Sequence, residues 1–110
     1  MLLGVMTVFS VSLAPAGFVY ETDKEFLTTG DFNSDEKLDI TIVDKATGRV
    51  RLGYRISEDF FSTTDWRSGG LKDVTGVAVG RLRDAKRDSL ALVSADANLI
   101  SLFDAPSTSV

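Results

Sequence analysis

DFNSDEKLDI, residues Asp31 to Ile40, sets Asp31, Asn33, Asp35 and Asp39 on one short stretch and leads directly into the apolar segment DITIVD (39–44). Like charges held this close repel, so a folded chain needs something to offset them. With Asp31 as position 1, side-chain oxygens fall at positions 1, 3, 5 and 9, while Lys37 at position 7 offers only its backbone carbonyl. Calcium takes about six to eight oxygen ligands at roughly 2.3–2.6 Å, and a loop that turns around the ion supplies them at alternate residues. Three carboxylates, one amide oxygen, one carbonyl and a water make such a shell. The stretch therefore predicts one calcium site built from Asp31, Asn33, Asp35, Lys37 and Asp39. The plain alternative is a solvated polar turn, because Asp, Asn and Ser also form turns through local hydrogen bonds.

An EF-hand shares this opening but needs Gly at position 6, Glu at position 12 and helices on both sides. Here those positions hold Glu36 and Ile42, and ITIV follows, a strand-forming run. The EF-hand reading fails.

Composition narrows the chemistry further. The chain has 110 residues, a hydrophobic fraction of 44% and a net charge of −4, which fits one small globular unit and gives no basic surface for nucleic acid. It has no Cys and no His, so disulfides, Ser-His-Asp and Cys-His nucleophiles and the usual zinc ligands are all absent. A metal bound here is oxygen-ligated, which means calcium or magnesium.

The first charged side chain is Glu21. LLGVMTVFSVSLAPA has the length of a signal-peptide core, and Ala14-Pro15-Ala16 has the small-x-small form of a cleavage site. The absence of Lys or Arg after Met1 and the placing of Pro15 count against that reading, and the alternative is a strand VMTVFSVSL from a preceding unit. Either way the run is too short to span a bilayer, which takes roughly 20 apolar residues.

Beyond it the pattern is β throughout. The expected strands are FLTTGDF (26–32), DITIVD (39–44), RVRLGYRI (49–56), FFSTTDW (60–66), TGVAVGRL (75–82), SLALVSA (89–95) and LISLFDA (99–105). Turns are expected at Lys45–Gly48 and Ser94–Asn98, where Gly48 and Asn98 suit a left-handed backbone. A shift of 50 residues brings Gly30 onto Gly80, Ile40 onto Leu90, Ile42 onto Leu92, Gly48 onto Asn98, Val50 onto Ile100 and Leu52 onto Leu102. A period of this length with about four strands per unit is the signature of propeller blades.

Gly30 through Ile40 resembles the FG-GAP/VCBS repeat of integrin-α-type propellers and many bacterial surface proteins, whose loop runs roughly D-x-[ND]-G-D-G-x-x-D before an apolar strand. The resemblance covers residues 26–56 well and 74–105 faintly. It implies a four-stranded blade with calcium in the loop joining its first two strands, held by Asp31, Asn33, Asp35, Asp39 and the Lys37 carbonyl. Ser34 and Glu36 stand where the family has Gly, which puts strain on the turn at Glu36. In the second copy, Arg81, Arg83, Ala85 and Ser89 replace the four side-chain ligands, so no second ion is expected; Asp84 and Asp88 are free to pair with Arg81, Arg83 or Arg87.

Other candidates are weak. Nothing positions Asp59, Asp65 or Asp73 as a catalytic acid pair. Trp66, with Phe60 and Phe61, reads as packing between blades or as a binding platform for sugar or peptide. Gly69-Gly70 lacks the lysine and helix of a phosphate cradle.

The sequence thus predicts an all-β chain of about two four-stranded propeller-type blades, a partial propeller. Residues 1–16 are a signal peptide or a preceding strand, 17–66 the calcium-loop blade, 67–105 a degenerate blade and 106–110 a tail. The expected role is non-catalytic: a secreted or cell-surface module for adhesion, scaffolding or binding of a protein or carbohydrate. The alternative is an accessory segment of a secreted hydrolase whose active site lies elsewhere. Two blades leave faces and edges uncovered, so further blades or self-association are expected partners.

Overall fold

The computed structural model describes residues 18–106; the signal or strand expected at 1–16 and nearly all of the tail at 106–110 lie outside them. All regular structure in the described residues is strand, arranged as two antiparallel sheets. In the first, β1 (Val19–Glu21), β2 (Glu25–Gly30), β3 (Asp39–Asp44), β4 (Arg49–Arg55) and β5 (Phe61–Thr63) lie side by side in chain order, and β6 (Arg67–Ser68) also pairs with β4. In the second, β7 (Gly76–Asp84), β8 (Arg87–Ser94) and β9 (Leu99–Phe103) form a three-stranded meander.

Period-2 burial shows why these segments are strands. Along β3, Asp39, Thr41 and Val43 are buried, and Ile40, Ile42 and Asp44 between them are half-buried on the other face. The strand registers repeat as well. Gly30 lies opposite Asp39 and Thr28 opposite Thr41, and 50 positions on Gly80 lies opposite Ser89 and Ala78 opposite Ala91. Ile40 lies opposite Gly53 and Val43 opposite Val50, matched by Leu90 opposite Phe103 and Val93 opposite Ile100.

The sheets share one core. Phe26, Val43, Val50 and Leu52 from the first join Leu90 and Leu92 from the second, with Phe32, Val74 and Ala105 from the connecting segments. Each large side chain fully buried here contributes about 1.5–3 kcal/mol, so Phe32, Leu52, Leu90 and Leu92 carry much of the adhesion between sheets. The hydroxyls of Thr28 and Thr41 hydrogen-bond to each other within the buried face, so neither polar group is left unpaired. Gly30 permits the close approach: a Cβ there would lie 2.8 Å from Val79 Cγ1 and 3.0 Å from Asp88 Oδ2.

Gly48 (φ 71°) and Asn98 (φ 57°) both take the left-handed backbone expected of them. One expected strand is much shorter than its sequence suggests. Of residues 60–66 only Phe61–Thr63 pairs, and the chain rejoins β4 through Arg67 and Ser68, so the first sheet extends past Trp66. The second sheet has three strands among the described residues, where four were expected. No helix is long and apolar enough to cross a membrane among the described residues.

Candidate metal centre

The loop 31–38 links β2 to β3, and its carboxylates turn inward. One oxygen from each of Asp31, Asp35 and Asp39 lies within 4.8 Å of the other two. Asp31 and Asp39 are buried, whereas Asp35 is exposed, so the cluster opens to solvent on one side. No other such acidic group is found among the described residues.

Backbone amides hold these carboxylates in place. Asp31 accepts from the Asp35 amide (3.2 Å) and the Glu36 amide (2.9 Å), which curls the loop around it. Asp39 accepts from the Phe32 amide (3.1 Å) and from the Arg55 amide at the end of β4 (3.0 Å). Asp35 accepts from the Lys37 amide at 2.9 Å. Burial pushes the Asp39 carboxyl above its ordinary value; the Arg55 and Phe32 amides pull it back, and the charges of Asp35 and Asp31 add to the rise.

Asn33 completes the arrangement. With its nitrogen turned inward, its amide donates to Asp35 Oδ1 (2.8 Å), Asp39 Oδ2 (3.2 Å) and Asp31 Oδ1 (3.3 Å). With its oxygen inward it is a fourth acceptor facing three acceptors, an arrangement that only a cation between them makes favourable. One 180° turn of the amide therefore adapts the loop to either condition. Lys37 is exposed and is tied to the cluster through its backbone amide.

The turn that achieves this uses left-handed backbone at Ser34 (φ 64°) and Glu36 (φ 65°). These are the two positions at which the chain departs from Gly in the resemblance noted above. Each side chain there costs about 1–2 kcal/mol relative to a relaxed backbone.

The equivalent segment of the second sheet has no such cluster. Arg81 Nε pairs with Asp88 Oδ1 at 3.0 Å, and Arg87 with Asp84 at 3.8 Å, two of the pairings open to these residues in the sequence. Arg83 reaches Asp104 at 3.3 Å, and the Ser89 hydroxyl donates to that same Asp104. This segment also supports the first loop in a way the sequence did not signal. Asp88 Oδ2 accepts from the Asp31 amide (2.8 Å), the Asp88 amide donates to the Asp31 carbonyl (2.7 Å), and Arg81 stands 3.9 Å from the Asp31 carboxylate.

Trp66 does not enter the core between the sheets. It is half-buried against the first sheet's open face, where the Arg51 guanidinium lies over its ring at 5.8 Å. Phe61 is covered by Arg55 at 4.7 Å, and Phe60 is exposed.

Comparison with protein-family models, with curated proteins and with solved structures finds no match to this chain.

Proposed function

We propose that the chain is a non-catalytic, calcium-braced β module of FG-GAP/VCBS type, in which each sheet is a propeller-type blade. The convergence of Asp31, Asp35 and Asp39 around the Asn33 amide carries this reading. The all-oxygen donor set suits a hard divalent cation, and the solvent-open side next to Asp35 leaves room for water to complete the shell. Calcium favours this set over magnesium because a loop with one exposed ligand and a side open to water suits its flexible coordination better than a strict octahedron. The 50-residue identity of strand registers supports two units of one kind.

In this role the ion is structural. It offsets the repulsion among three carboxylates and stabilises the fold by mass action, since the unfolded chain has no assembled site. The ligand-binding or scaffold role of the whole, at a cell surface or in secreted form, follows from the type of module. Thermal unfolding in millimolar calcium and in excess EDTA tests the reading. Calcium raises the midpoint of the wild-type chain and leaves Asp35→Ala, whose carboxylate is exposed, where it was. An equal response of the two proteins, or none in either, rejects it.

A further inference from the structure

The two sheets pack in a head-to-tail manner, with opposite faces in contact. The first sheet meets the second through the face bearing Val43, Val50 and Leu52, and the second replies with the face bearing Leu90 and Leu92. Fifty positions back, Leu90 and Leu92 correspond to Ile40 and Ile42, which lie on the far face of the first sheet, where no second sheet packs among the described residues. Fifty positions on, Phe32, Val50 and Leu52 correspond to Leu82, Ile100 and Leu102. The first three are 0% exposed, and their equivalents are 52%, 68% and 37% exposed. Each end of the two-sheet stack thus carries the equivalent of one half of the interface already formed at its centre.

We propose that these two open faces bind each other between copies of this chain, the Leu82–Ile100–Leu102 face of one copy seating on the Ile40–Ile42 face of the next. The established interface sets the occupant: a face equivalent to the second sheet's inner face receives a face equivalent to the first sheet's. The Ile40–Ile42 face carries an apolar groove of about 170 Å³, bordered by Gly53 and Phe61. Gly53 stands where the second sheet has Phe103, so this groove has space for a large side chain that the central interface lacks. A heterologous contact of this kind adds copies in one direction, closing into a ring or extending as a filament according to the rotation per copy. The inference names a partner for the module proposed above. It rests on the paired-sheet equivalence of that reading and needs no calcium, so association in EDTA leaves it standing even if the ion does not bind.

Sedimentation velocity of the full-length chain over a range of concentrations tests it, with Ile100→Lys and Ile42→Lys as face-specific variants. The wild type forms species larger than a monomer as concentration rises, and each variant alone weakens association by about tenfold or more. An equimolar mixture of the two variants forms a one-to-one dimer and stops, because each supplies the intact face that the other lacks. Should Ile42→Lys lose its β-sheet circular dichroism, Thr63→Arg on the exposed rim of the same groove takes its place. A wild type that stays monomeric overturns the proposal, and the first sheet's face is then covered within the chain or by a different protein. Association that both variants retain, or that their mixture fails to restore, overturns it equally.

Discussion

The loop from Asp31 to Leu38 and the hairpin from Arg81 to Asp88 occupy equivalent places 50 residues apart, each joining the first two long strands of its sheet. Flanking registers match residue for residue, yet the paths between them differ. In the first, Asp31 and Asp39 draw four backbone amides inward and the strands part at Gly30 and Asp39. In the second, the pairing shifts register after Gly80 and Ser89, β7 and β8 meet again where Asp84 lies opposite Arg87, and Arg81 and Asp88 bridge the two strands. Short buried acceptors coil a loop around a point. Long side chains of opposite charge bridge the strands across a register shift instead. The difference teaches that the carboxylates, and not the strand frame, shape the first loop.

The largest effect that could break this comparison is expected from Asp31→Ala. It strands the Asp35 and Glu36 amides and removes a proposed ligand, at a cost of about 2–4 kcal/mol in calcium, measured by urea unfolding. Arg81→Ala at the equivalent position removes mainly exposed ion pairs and costs less than about 1 kcal/mol. Equal costs at the two sites would mean that the loops do the same mechanical job.

Next in size is Asp88→Ala, which cuts the second hairpin's side-chain contact with the first loop. It lowers stability by about 1–2 kcal/mol and weakens calcium binding without touching a ligand, as a calorimetric titration would show. Unchanged affinity would make the two loops independent. Smaller again is Glu36→Gly, which relieves the left-handed strain and raises stability by about 0.5–1 kcal/mol while keeping the calcium response. A loss of stability there would mean that the Glu36 side chain contributes something its exposure does not suggest.

The smallest effect is in pH. Asp39 has its carboxyl raised above 3.8, chiefly by burial, so without the ion its charged form is disfavoured in the folded chain. Its contribution to stability therefore falls as pH rises from 3.8 through its folded value, and is constant above that. Calcium needs the ionised form, so the calcium-induced rise in midpoint shrinks as pH is lowered from neutrality to about pH 4. A calcium response independent of pH over that range would place the ion away from Asp39.

Much of this was legible in the residues themselves. β3 begins and ends where DITIVD does, because a period-2 alternation flanked by Asp at both ends leaves little freedom of register. Gly48 and Asn98 declared their turns because Gly and Asn tolerate left-handed backbone, and they take it at φ 71° and 57°. The four acidic or amide residues of the first loop stood at alternate positions, and the fold brings them together. Less legible was FFSTTDW, rich in β-formers yet paired only at Phe61–Thr63, since the Thr64 hydroxyl accepts from the Leu52 amide in place of a backbone carbonyl and the chain rejoins β4 only at Arg67 and Ser68. The extension of β7 to Asp84 depends on cross-strand ion pairs, and the Asp88 contact with Asp31 spans 57 residues. Contacts that distant leave no local pattern to read.

The most direct test of the calcium-braced first loop and the metal-free second is calorimetric titration of calcium into the EDTA-stripped, dialysed chain, with Asp35→Ala alongside. The account predicts one ion per wild-type chain and none for the variant. Two ions per chain, or no binding to the wild type, would contradict it.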